Sequence, residues 1–180
     1  MSKILILEGS ARKRGNTARL AEAFALGAKE SGHAVTEIFL KDRTFSDCLG
    51  CGVCQANGGQ CVQKDDMQEI YAALRENDVI VLASPVYFYT WTSLMKRMID
   101  RTFAVEPFLQ NKTFYLLSTG AAPEESYMKT MLDSFELYVS CFRAGGNKVG
   151  GHLFGCGTNA PDDVAKLPVM EQAYALGKAL

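Results

Sequence analysis

Short apolar runs alternate with longer stretches of helical periodicity along this chain. Lys3–Leu7 is apolar and ends at Glu8-Gly9-Ser10, the pattern of a buried strand. Thr17–Ser31 sets Leu20, Phe24 and Ala28 on one helical face, and Gly32 suits its C-terminus. Ala34–Leu40 reads as a second strand, and a long loop follows from Lys41 to about Lys64. Asp65 is placed to cap a helix from Asp66 to Asn77 that turns Met67, Ile70 and Leu74 inward. Asp78–Ala83 is the clearest strand, and Thr92–Thr102 reads as a helix with Leu94, Met95, Met98 and Ile99 on its apolar side. Lys112–Ser118 and Lys148–Phe154 complete the strands; Glu124–Tyr138 and Asp162–Ala179 complete the helices.

Five strand–helix alternations predict an α/β three-layer sandwich, a five-stranded parallel sheet with helices on both faces. No repeat or linker interrupts it, so residues 1–180 read as one domain with a Cys-rich loop at about 41–64. Such sheets bind ligands beyond the carboxyl ends of their strands, where the strand order reverses. The loops after Leu7, Ala83 and Ser118 are the places to look.

Composition narrows the function. With 48% hydrophobic and 22% charged residues, the 180-residue chain is an ordinary globular one. Nineteen Lys and Arg against twenty Asp and Glu leave no broad basic surface, so no nucleic-acid partner is expected. No apolar run approaches the roughly 20 residues that span a bilayer, and Ile4–Leu7 is too short for a secretion signal. A cytoplasmic protein without a membrane partner is expected. Thiols stay reduced there, so clustered cysteines point to metal binding or redox chemistry.

The loop Gly9-Ser10-Ala11-Arg12-Lys13-Arg14-Gly15-Asn16-Thr17 joins the first strand to the first helix. Amides at a helix N-terminus, with the helix dipole, favour an anion. Ser10, Asn16 and Thr17 add donors, and Arg12 offers a fork to phosphate oxygens. The pattern G-x-x-x-x-G-K-[ST] is absent, which argues against a P-loop nucleotidase. Gly155-Cys156-Gly157-Thr158-Asn159-Ala160 imitates a dinucleotide fingerprint, but too little chain follows to complete that unit. No cysteine has an arginine six positions later, so the chemistry of a low-molecular-weight phosphatase is excluded.

Gly9–Thr17 resembles the G-S-x-R-x-x-G-[NS]-T phosphate loop of the NADPH-dependent FMN reductase family, whose fold is flavodoxin-like. Ser84-Pro85-Val86-Tyr87-Phe88 resembles that family's second flavin loop, and Lys96–Arg101 resembles the helix after it. The resemblance runs to about Gly120. It implies that Ser10, Arg12, Asn16 and Thr17 hold the FMN phosphate, while Pro85, Val86, Tyr87, Phe88, Thr119 and Gly120 border the ring. Trp91 is a further aromatic candidate for the ring, with packing in the core or at a subunit contact as the other reading. Asp100-Arg101 reads as a helix-end ion pair, and His33 and His152 as isolated.

Cys48, Cys51, Cys54 and Cys61 read C-x2-C-x2-C-x6-C, compact spacing that suits an iron–sulfur cluster; zinc sites more often use two separated pairs. Gly50, Gly52, Gly58 and Gly59 let the backbone wrap closely. The motif is similar to that of the iron–sulfur flavoproteins, a branch of the same family with a [4Fe-4S] cluster. A loop of free or redox-active thiols, or a zinc site, stays open as the other reading. Cys141 and Cys156 are expected to be buried thiols.

The expected function is an FMN-dependent oxidoreductase taking electrons from NAD(P)H. The alternative is an iron–sulfur flavoprotein carrying electrons from a ferredoxin-like donor between cluster and FMN. A zinc- or thiol-stabilised binding module would leave the phosphate loop without a role. The resemblance also implies a homodimer or homotetramer.

Overall fold

The computed structural model describes residues 1–180. In chain order the main elements are β1 (Lys3–Glu8), α1 (Asn16–Glu30), β2 (Ala34–Phe39), α2 (Val53–Ala56), α3 (Met67–Glu76) and β3 (Val79–Pro85). Then follow α4 (Ser93–Arg101), β4 (Thr113–Thr119), α5 (Lys129–Cys141), β5 (Lys148–Gly155) and α6 (Val169–Lys178). The strands form one sheet in the order β2-β1-β3-β4-β5, and every pairing is parallel. This is the flavodoxin-like order, whose switch point lies between β1 and β3.

The central strands are buried on both sides, which explains their unbroken apolar runs. Alternate residues face opposite layers. Ile4, Ile6, Val79, Val81 and Leu117 pack toward α1 and α6, with Leu20, Phe24 and Ala28 above them. Leu5, Leu7, Ile80, Leu82, Phe114 and Leu116 pack toward α3, α4 and α5. Each fully buried side chain of this size contributes roughly 1.5–3 kcal/mol. α1 and α6 meet at backbone distance, because a Cβ on Gly27 would collide with the Tyr174 carbonyl and one on Gly177 with that of Phe24.

Several expected boundaries shift. The helix expected over 162–179 is broken: a 3-10 turn covers Asp163–Lys166, Leu167 is extended, and α6 starts after Pro168. Proline clashes with a helical residue before it, so the break falls at Leu167. The stretch expected as helix from Glu124 begins with a 3-10 turn, Glu125–Met128, and α5 continues past Tyr138 to Cys141. The 41–64 loop holds the single turn of α2. Gly32, at φ +84°, ends α1 as expected.

Candidate functional site

A cavity of about 300 Å³ opens at the carboxyl end of the sheet, beside the switch point. The loop after β1 forms one wall with Ser10, Arg12, Arg14, Gly15, Asn16 and Thr17. The loop after β3 supplies Pro85, Val86 and Tyr87, and the loop after β4 supplies Thr119, Gly120 and Ala121. Of the ten residues expected to bind cofactor, only Phe88 stands outside the cavity, 97% exposed.

The phosphate loop is built by short local bonds. Ser10 Oγ accepts from the Arg12 amide and donates to the Arg12 carbonyl, both at 3.1 Å. The amides of Asn16, Thr17 and Ala18 donate to no backbone acceptor, as expected for the first turn of a helix. α1 carries no acidic residue there, so nothing cancels the positive end of its dipole. Lys13 is neutralised by Asp42 at 2.6 Å, whereas Arg12 and Arg14 line the cavity without an ion pair. Two guanidinium groups and a row of free amides are what a phosphate dianion requires.

Other predicted residues hold the walls together. Asn16 Nδ2 donates to the Ala160 carbonyl at 2.9 Å, and its Oδ1 accepts from the Val164 amide at 3.2 Å. Both polar ends of that side chain are therefore engaged in fastening the loop after β5. Thr17 and Thr119 share a hydroxyl–hydroxyl bond of 2.6 Å that joins α1 to β4. Thr92 Oγ1 donates to the Gly9 carbonyl at 2.7 Å and accepts from the Met95 amide, capping α4 and latching it to the phosphate loop.

The β5–α6 loop adds Thr158, Asn159 and Pro161 to the cavity, residues that sequence reasoning passed over. The signal was available: this loop also follows the carboxyl end of a strand. Its glycines imitate a dinucleotide motif that the short remaining chain rules out, and no other signal marked it. The aromatic loop also differs from expectation. Tyr87 and Thr90 pair across a tight turn whose central residues, Phe88 and Tyr89, have φ of +49° and +68°. Those values turn both side chains outward. Trp91 is buried, and its Nε1 donates to Ser134 Oγ at 2.8 Å, so it is a core residue and not a ring or subunit contact. His33 is a satisfied histidine whose Nδ1 accepts from the Ser2 amide.

Cys48, Cys51, Cys54 and Cys61 line one small second cavity, with Cys54 buried, Cys61 half-buried and the other two exposed. Gly50, Gly52, Gly58 and Gly59 all have positive φ, between 63° and 82°, and Gly50 and Gly52 line that space. Burial, with Cys61 and Cys48 nearby, pushes the Cys54 thiol up. No three Cys, His, Asp or Glu side chains converge tightly enough to hold a single metal ion. Cys141 and Cys156 are not the buried thiols expected: Cys141 is exposed and Cys156 half-buried.

Arg101 corrects another expectation. Asp100 pairs with Lys96 along α4, while Arg101 turns inward to Asp65 with two bonds of 2.8 and 3.0 Å. Burial works to raise the Asp65 carboxyl, but Arg101 and the amides of Ser46 and Met67 outweigh it and hold it below its usual range.

An anion cradle at the β1/β3 switch point of a 2-1-3-4-5 sheet defines a flavodoxin-like mononucleotide-binding protein. A family profile described as NADPH-dependent FMN reductase matches residues 2–145, and the chain belongs to that family. It is thus an FMN-dependent oxidoreductase that uses a nicotinamide donor. An iron–sulfur flavoprotein of Archaeoglobus fulgidus is 32% identical over 152 residues, 81% of this chain and 69% of that protein. Another, from Methanocaldococcus jannaschii, is 31% identical over 182 residues, 98% of this chain and 94% of that protein. Among solved structures, an NAD(P)H:quinone oxidoreductase from Methanothermobacter marburgensis matches with a TM-score of 0.75 at 16% identity, over 98% of this chain and 96% of that one. An azoreductase from Bacillus anthracis matches with a TM-score of 0.74 at 16% identity, over the full length of both. At such identities the likeness establishes the flavodoxin-like fold. No helix is long and apolar enough to cross a membrane.

Proposed function

We propose that this chain is an iron–sulfur flavoprotein, holding FMN in the switch-point cavity and a [4Fe-4S] cluster on Cys48, Cys51, Cys54 and Cys61. The observation that carries the reading is the arrangement of these four thiols. They line one space, and a donor set of four soft thiolates in compact spacing is of the kind that holds an iron–sulfur group. The names of these two relatives, which match most of this chain, support it.

Bound FMN supplies the exchange between two-electron hydride transfer and one-electron steps. An iron–sulfur group supplies one-electron transfer. The protein's part is binding and orientation. The α1 amides, Arg12 and Arg14 hold the phosphate; Pro85, Val86, Tyr87, Thr119 and Gly120 set the position of the ring; Asn16 and Thr17 keep the walls in register. No side chain at the cavity is placed as a nucleophile, and hydride transfer to a flavin needs none. Free thiols fit a reducing, cytoplasmic compartment. The outward-turned Phe88 and Tyr89 at the cavity's lip fit a homo-oligomer that covers them.

Anaerobic purification followed by an absorbance spectrum with iron and sulfide analysis tests the reading. Flavin bands with about four irons per chain are expected. Flavin without iron, after reconstitution with ferrous iron and sulfide, overturns the cluster and leaves a simple FMN reductase.

A further inference from the structure

Arg101 is one of the largest fully buried side chains in the molecule, with 2% of its surface exposed. A buried guanidinium is costly unless every donor is used. Here all five N–H groups have partners. Nε donates to the Tyr71 hydroxyl at 3.3 Å, and Nη1 to the Ser46 carbonyl and Asp65 Oδ2, each at 2.8 Å. Nη2 donates to Asp65 Oδ1 at 3.0 Å and, with its remaining hydrogen, to Cys61 Sγ at 3.6 Å. The Tyr71 hydroxyl donates back to the Arg101 carbonyl at 3.0 Å, which fixes the end of α4.

Burial alone would be served by any acceptor on the fifth donor, such as a loop carbonyl. The sulfur takes it instead, and it belongs to one of the four thiols proposed as ligands. Arg101 also lines the cavity those thiols share. Hydrogen bonds to ligand sulfur and local charge are two of the quantities that set the potential of a thiolate-bound iron group.

We propose that Arg101 is a positioning residue of the cysteine site: its guanidinium orients Cys61 Sγ and raises the reduction potential of the group that Cys61 ligates. The inference rests on the iron–sulfur reading above. Reduction adds one electron, and therefore one negative charge, with no bond made or broken. The electron comes from the nicotinamide-reduced flavin or from an added chemical reductant. A cation within hydrogen-bond distance of a ligand favours the more negative, reduced state. Asp65 opposes that effect, since its carboxylate partly cancels the guanidinium charge.

The two partners should therefore move the potential in opposite directions, which simple loosening of the loop would not do. The experiment is an equilibrium redox titration of the anaerobically prepared holoprotein, following the paramagnetic signal of the reduced iron group separately from the flavin. Arg101→Gln is expected to lower the midpoint potential and Asp65→Asn to raise it. Each shift should amount to about tenfold in the reduced-to-oxidised ratio, 59 mV for a one-electron couple. Arg101→Lys keeps the charge without the fork and should fall between wild type and Arg101→Gln. If Arg101→Gln loses its iron, Asp65→Asn and Arg101→Lys decide the matter by the signs of their shifts. Variants that retain iron at the wild-type potential, or an Asp65→Asn shift in the same direction as that of the Arg101 variants, overturn the role of Arg101 alone. A wild-type chain that takes up no iron overturns the cluster reading and this inference with it.

Discussion

Glu8 ends β1 fully buried, and neither of its carboxylate oxygens has a hydrogen-bond partner. Burial, reinforced by Glu37 on β2 and Glu22 on α1, pushes its carboxyl up to about 8. A raised carboxyl binds its proton more tightly folded than unfolded. Its stabilising contribution is complete below the ordinary value of 4.5 and drains away as pH rises toward about 8. Burial therefore favours the protonated form of Glu8 toward neutral pH, two residues from Ser10 in the phosphate loop. Glu8→Gln is expected to match wild type in thermal unfolding near pH 4.5 and to exceed it at pH 8. The gain should be on the order of a few kcal/mol. Parallel unfolding profiles across that range would show that Glu8 is solvated or paired. The sequence marked Glu8 only as the polar end of an apolar run. Its isolation depends on β2 and α1 closing over it.

The turn at Tyr87–Thr90 is the element where local chemistry and geometry disagree most. Two successive residues with positive φ make a turn that Asn-Gly adopts readily, yet the chain places Phe88 and Tyr89 there. Left-handed backbone costs such residues roughly 1–2 kcal/mol each. The side chains recover little of it within the monomer, being 97% and 60% exposed. The double change Phe88→Asn, Tyr89→Gly is expected to stabilise the isolated chain by about 1–2 kcal/mol in urea unfolding. A loss of stability in the isolated chain would mean that the two rings pack against the chain's own surface. The Ser84–Trp91 stretch was legible as a flavin-side loop, because four aromatics crowd its eight residues after a strand. The direction of each ring was not, since a period-two alternation fails once the backbone turns left-handed. α4 was more readable: Thr92 caps it and Met95 and Met98 are fully buried, as their spacing implies.

At the scale of the whole molecule, four loops from four strands make one cavity, and its charge comes from a single short segment. Removing both guanidinium groups by Arg12→Ala with Arg14→Ala leaves the walls intact, because Asn16, Thr17 and Thr119 still bind them together. Charge-assisted bonds contribute about 1.5–3 kcal/mol each. Fluorescence titration with FMN should accordingly show affinity lower by roughly hundredfold or more, with an unchanged unfolding midpoint. Undiminished affinity would move the phosphate elsewhere in the cavity.

The amino-acid sequence by itself determined the layers, the parallel sheet, the loop for the phosphate and the motif of four cysteines. These are local properties: apolar runs, helical periodicity, and residue types at fixed spacing along a few turns of chain. Only the tertiary structure decided that Arg101 would reach Asp65 and Cys61 instead of Asp100, that Asn16 would fasten residues 160–164, and that the β5–α6 loop would close the cavity. Those pairings join residues 36 to 148 positions apart, with Cys61 40 from Arg101. A buried charge takes whichever partners the packed core brings to it, and that choice is made in space, after the helices have docked.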